Sequence, residues 1–299
     1  MERMTASKVV VVRAKGLPRG EVPAGTVRRM YEAGIRVLTG ESDPDAGLRR
    51  LFQPSDRIGI KVNTIGGKAI STRPDVSIPL ASWLGERTVK AGNVVVWDRT
   101  NRELKAAGYR LTSGGSGLRV FATDTDGAGY GTELVVHRDI GSLFSSIQEG
   151  YVTASISLAV LKDHGMAGVT AGMKNYFGAI HNPNKYHDGR CDPYIAQVFD
   201  APPVKSKHRL TILDALTVQY HRGPSYHPQW AEPAGAFIFG TDPVATDAVG
   251  WQLIENLRAK KGLPSLAEEK REPSYLATAE KLGLGTADPS RITLVEVEA

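Results

Sequence analysis

The sequence predicts an α/β fold, a layered parallel or mixed sheet flanked by helices, with room for two sub-domains meeting near 140–150. Three observations carry this. Apolar, β-branched runs recur along the 299 residues, each bounded by Gly, Asp or Asn. Helical patterns alternate with them. The runs are continuous rather than alternating, as strands buried on both faces require.

The elements follow in order. KVVVVRA (8–14) is a strand, and 23–38 after Pro23 is a helix. RIGIKVN (57–63) and NVVVWD (93–98) are strands, separated by a helix at roughly 76–91. A short helix at 102–108 precedes the strands LRVFATD (118–124) and ELVVH (133–137). A helical turn at 143–149 leads into VTASISLAVL (152–161), the longest apolar run. Gly168 opens a predicted helix that ends before Asn182, because Pro183 biases its predecessor away from helix. A helix at 193–200 is followed by the strands RLTILDAL (209–216) and GAFIFG (235–240). Asp242 suits the N-cap and Pro243 the first position of a helix at 243–261. A helix at 275–282 and the strand RITLVEVE (291–298) complete the pattern. The irregular stretches 182–192 and 219–234 have the length of functional loops.

Composition bounds the rest. The chain is 41% hydrophobic and 23% charged, as expected of one globular domain spanning 1–299. No apolar run approaches the ~20 residues of a membrane span. The start, MERMTASKVVVVRAKG, lacks the apolar core of a signal peptide, so a cytoplasmic location is expected unless a leader has been removed. One cysteine excludes an internal disulfide and an iron–sulfur cluster held by four cysteines of one chain. The net charge of +5 comes without a long basic block or aromatic–basic alternation. That argues against nucleic acid and leaves a mild attraction for a small anionic molecule. The oligomeric state is open at this stage.

Ligands of open α/β sheets collect at the carboxyl ends of strands. Lys61, Asn63, Asp98, Asp124, Asp126, Asp163, His164 and Asp242 all fall at such ends. Each alone has a simpler reading, since Asp and Asn end strands by favouring turns. The denser signal is 161–193, LKDHGMAGVTAGMKNYFGAIHNPNKYHDGRCDP, with three of the seven histidines and the single cysteine. On a helix from Gly168, Val169, Met173, Tyr176, Phe177 and Ile180 form the buried stripe, and Thr170, Lys174 and His181 share one ridge. Gly165, Gly168, Gly172 and Gly178 imply close approach of backbone or ligand, since each helical Gly costs roughly 1 kcal/mol against Ala.

These residue types suggest chemistry. Histidine titrates near neutrality and ligates metals, and a lysine among apolar groups can lose its proton. His164, Lys174 and Asn175 are the candidate catalytic residues. Lys61, Asn63, Thr170 and Asp247 are candidate binders of a cofactor or anion. His181, His187 and Asp98 are the candidate ligands of a divalent metal. Gly66-Gly67-Lys68 is not a phosphate-binding P-loop, and neither HExxH nor G-x-S-x-G occurs.

LKDHGMAGVTAGMKNYFG, with RIGIKVN upstream and GTDPVATDAVG downstream, resembles the DUF362 family from about 56 to 295. Its core stands here as His164, Gly168, Thr170, Lys174, Asn175 and Gly178. Many members carry a ferredoxin-like module with cysteine clusters, which one cysteine cannot supply. The segment also resembles, more faintly, the active-site stretch of nickel-pincer lactate racemases. That resemblance implies a pincer nucleotide tied to Lys174, His164 as acid/base, and nickel on His181 or His187. It departs from the pattern at Asp163 and at Gly172-Met173. The expectation is therefore a metal- or cofactor-dependent enzyme acting on a small anionic organic substrate by acid/base or redox chemistry. The alternatives are a non-catalytic binder of an anionic metabolite or metal, and an accessory protein to a ferredoxin-type partner.

Overall fold

The computed structural model describes residues 6–14, 17 and 22–299. Residues 1–5 of the start read above for a leader, and 15 and 16 with them, lie outside the described residues. A nine-stranded mixed sheet forms the centre, and helices cover both faces.

In chain order, β1 (Ser7–Arg13) is followed by α1 (Ala24–Thr39), α2 (Pro44–Leu51) and β2 (Ile58–Val62). Next come α3 (Pro74–Arg87), β3 (Val94–Trp97), α4 (Asn101–Ala106) and β4 (Arg119–Val120). A separate hairpin of β5 (Val135–His137) and β6 (Ile140–Ser142) precedes β7 (Ala154–His164) and β8 (Gly168–Thr170). Then α5 (Tyr194–Asp200), α6 (Pro202–Lys205), β9 (His208–Gln219) and β10 (Ala231–Gly240) follow. The helices α7 (Pro243–Lys260) and α8 (Tyr275–Lys281) and the strand β11 (Ile292–Glu298) complete the fold.

The sheet order is β11-β1-β10-β9-β7-β2-β3-β4, with β8 folding back on β7. The block β9, β7, β2, β3 and β4 is parallel throughout. β10 runs against both β9 and β1. From β2 the chain moves outward to β3 and β4, then returns to place β7 on the other side of β2. The strand order therefore reverses between β2 and β7, the topological switch point where crevices open in such sheets.

All eleven residues of β7 are buried, which explains its continuous apolar run. Alternate residues of β2 and β3 point to opposite layers. Ile58, Ile60, Val94 and Val96 join the core under α1 and α3. Val95 and Trp97 join the core under α5, α7 and α8. At α7 the expected cap is present: Asp242 accepts the Ala245 N–H at 2.9 Å, and Pro243 occupies the first turn.

Several expectations need correction. The helix predicted from Gly168 does not form. Gly168 adopts φ +76° inside the return strand β8, where a Cβ would lie 2.5 Å from the Arg271 carbonyl oxygen. The next N–H groups are taken by a side chain, with Gly172 and Met173 donating to Asp247 at 2.8 and 3.0 Å. Helix is thus pre-empted until a short 3₁₀ segment at Lys174–Ala179. The Thr170–Lys174–His181 ridge goes with it. The run at 118–124 contributes only two residues to the sheet, and 133–137 leaves it for the hairpin. The turn at 143–149 is a π-type turn at Ile147–Tyr151. The helix α2 was not expected, although Asp43 caps it through the Asp45 and Ala46 N–H groups with Pro44 following.

Candidate active site

A cavity of about 460 Å³ opens at the carboxyl ends of β2, β3 and β7. It is lined by strand ends on one side and by the strap 170–187 on the other.

Its floor is a buried ion pair. Lys61 Nζ donates to Asp98 Oδ1 at 2.6 Å, to the Val62 carbonyl at 2.7 Å and to Asn175 Oδ1 at 3.2 Å. Asp98 is filled on its other oxygen by the Thr64 N–H at 2.8 Å and the Thr64 hydroxyl at 2.6 Å. Asn175 turns its amide nitrogen to the Lys61 carbonyl at 2.8 Å and Ser157 Oγ at 3.1 Å. Every strong polar group of this trio is matched, as burial demands. Gly178 lies directly over it: a Cβ there would stand 2.7 Å from Lys61 Nζ and 3.0 Å from Asp98 Oδ1. This is the close approach the glycines of the segment implied. The trio braces strap to sheet and has little capacity left for a ligand.

Two other lysines line the same cavity. Lys174 is 7% exposed and has no carboxylate partner among the described residues. Its amine lies 4.3 Å over the face of Phe177 and 3.3 Å from His187 Nε2. Burial pulls its pKa down to about 8, opposed by the Cys191 sulfur 4.0 Å away. Lys162 is fully buried and donates to the Ile70 carbonyl at 3.1 Å. It too is pulled down to about 8, mainly by burial, with Asp98 opposing the shift and Lys174 adding to it. Two lysines therefore face one cavity in a state where each readily gains or loses a proton.

Both histidines beside them are held neutral. His164 Nδ1 accepts the N–H groups of Met166 and Ala167 at 3.2 and 3.1 Å, so its proton resides on Nε2. Burial is the chief cause of its strongly lowered pKa, followed by the charge of Lys174. His187 donates from Nδ1 to the Pro183 carbonyl at 2.9 Å, which leaves the Nε2 lone pair for Lys174. Its pKa is also lowered, first by burial and then by Lys174. The two rings stack at 5.9 Å.

Of the residues singled out from sequence, Lys61, Asn63, Asp98, His164, Thr170, Lys174, Asn175 and His187 line the cavity. Asp247 does not. It sits behind the strap, holding Gly172, Met173 and the Tyr275 hydroxyl. His181 is exposed outside the cavity, edge-on to Tyr130 at 5.2 Å. His181, His187 and Asp98 thus form no shared ligand set. Among the described residues no group of three His, Cys, Asp or Glu side chains gathers as a metal would need. The His164 Nδ1 lone pair is spent on backbone and Asp98 is spent on Lys61, so the donors present do not fit a divalent metal.

Lys162 escaped the sequence reading. The signal was available: a lysine follows LAVL at the end of the longest apolar run, and unpaired lysine is almost never fully buried.

The family model described as "Domain of unknown function (DUF362)" matches residues 58–252. The whole cavity lies within that span. No curated protein matches the chain. A crystal structure of a Thermotoga maritima protein superposes with a TM-score of 0.45 at 10% identity, covering 79% of this chain and 59% of that one. The match spans under two thirds of the Thermotoga protein.

Proposed function

The chain belongs to the DUF362 family, and we propose that its cavity is an active site for acid–base chemistry on an organic anion. Lys174 is the base, Lys162 the counter-charge for the bound anion, and the His164 Nε2–H a hydrogen-bond donor to charge developing on the substrate. The observation that carries this is Lys174: a buried amine with no carboxylate partner among the described residues, a depressed pKa and an open cavity before it. A general base works best when its pKa lies near the working pH. Because His187 offers Lys174 a lone pair rather than a charge, the amine keeps its ability to accept a proton.

The strand-end geometry supports the same reading. The cavity lies at the switch point between β2 and β7, and its two free amines come from β7 and from the strap that follows β8. An anion bound between them would raise the pKa of both and repay part of their desolvation.

The test is exchange of the α-hydrogen of lactate, malate and mandelate in D₂O, followed by proton NMR. The wild-type protein should exchange at least one of them, faster as pH rises through 8. Lys174→Met should abolish exchange. A variant exchanging at the wild-type rate would remove Lys174 from the reaction. Binding of the panel without exchange would leave anion capture without turnover as the role of the site.

A further inference from the structure

The same cavity has a polarity that speaks to the shape of its ligand. Its charged groups are deep: Lys162 is 0% and Lys174 7% exposed. Its outer wall carries exposed apolar side chains beside a polar sector. Ile65 is 65% and Met166 46% exposed, two of only six large apolar side chains so exposed among the described residues. Both border this one cavity. Phe177 and Pro183, both buried, and the exposed Pro224 add to the apolar lining. The Lys174 amine already lies on the Phe177 face. Arg99 and Glu103 supply a polar sector of the rim, on the β3 side.

A site for a short hydrophilic acid would be small and polar to its lip. Here the volume of about 460 Å³ falls in the range of pockets that enclose ligands of some tens of atoms. Isolated exposed apolar residues need no explanation, but two flanking one opening onto buried amines form a gradient from apolar to cationic. That gradient matches a molecule with one anionic end and an apolar body.

We infer that the ligand of this cavity is an organic acid with a ring-sized apolar body, its carboxylate inward at Lys162 and Lys174 and its body against Phe177, Met166 and Ile65. This rests on the anion reading above and narrows it to a substrate class. Removing the body from water supplies affinity that a bare carboxylate lacks, and fixes the orientation of the acid in the cavity.

Isothermal titration at pH 7 tests it with three probes: 1-naphthoate, acetate, and 1-naphthalenemethanol as the uncharged analogue. Naphthoate should bind at least about tenfold more tightly than either of the others, since tenfold corresponds to a modest part of the ring's burial. The double variant Ile65→Ser/Met166→Ser, altered only at exposed positions, should lose about tenfold for naphthoate and leave acetate unchanged. Lys174→Met should weaken naphthoate and not the alcohol. Acetate binding as tightly as naphthoate, or naphthoate indifferent to the double variant, would overturn the apolar-body inference and leave the anion site standing. Naphthoate binding unaffected by Lys174→Met would place it elsewhere and also overturn the inference. If neither carboxylate bound, the anion reading itself would fall.

Discussion

Asp247 accepts the backbone N–H of Met173 at 3.0 Å, so a carboxylate on α7 fixes the residue immediately before Lys174. Its other oxygen holds Gly172 at 2.8 Å. The strap is thereby shaped from behind, by a residue that never meets the cavity. Asp247→Asn keeps the size but turns one acceptor into a donor facing an N–H group. It should destabilise the fold by about 1–3 kcal/mol, the penalty of an unsatisfied buried donor. Urea unfolding checks the stability. Proton NMR titration of reductively methylated Lys174 should report a displaced pKa, which a purely remote effect would not give.

Lys174→Met should stabilise the protein while ending the α-hydrogen exchange proposed above. The sign follows from the folded-state pKa of about 8, below the ordinary 10.5. Below pH 8 both states hold the proton and the folded state bears the burial penalty in full. Between 8 and 10.5 only the unfolded amine stays protonated, so wild-type stability rises with pH. The gain from methionine should therefore be largest near pH 7, about 2 kcal/mol, and fade toward pH 10. Denaturant midpoints at the two pH values measure it. A gain independent of pH would contradict the charge argument.

Lys61→Met should do the opposite. It removes one half of a buried pair and leaves Asp98 in a dry site with only Thr64 and the Arg99 N–H to answer it. A loss of about 3–5 kcal/mol is expected. The contrast between Lys61 and Lys174, two lysines of one cavity, is the useful readout. A stabilising Lys61→Met would show that the brace is not what joins strap to sheet.

Gly178→Ala inserts a methyl group where the nearest atoms are Lys61 Nζ and Asp98 Oδ1, both part of a matched network. A destabilisation of about 1–3 kcal/mol should follow, as for other overpacked sites. Thermal unfolding would detect it. Gly189, with open space around it, has φ +58° and so tests backbone strain alone in a parallel Gly189→Ala variant.

The architecture was legible because buried strands write continuous apolar runs. β7, β9 and β10 all lie where VTASISLAVL, RLTILDAL and GAFIFG indicated. The strap was not legible. Its 3.6-residue apolar spacing at Val169, Met173, Tyr176 and Phe177 imitates a helix, because residues packed against a sheet through a turn and a 3₁₀ segment are also buried at such intervals. What decided the backbone was Asp247, far off in the chain. Periodicity cannot register a partner that distant. The neighbourhood of His164 and Lys174 could be expected from their crowding, whereas the division of labour among the lysines could not. Lys61 is spent on Asp98 and Lys162 is not, and only three-dimensional pairing distinguishes them.

The placement of β1 carries a consequence for how the protein is made. Its two neighbours are β10 and β11, so the apolar stretch Val9–Val12 pairs with residues 237–240 and 294–297. On the ribosome, most of the chain must emerge before that stretch finds any strand to join. Until then four successive valines stay in search of a partner, a segment prone to cross-chain sticking. Nascent chains stalled before residue 231 should therefore be held by chaperones through this early segment, and should aggregate when those are depleted.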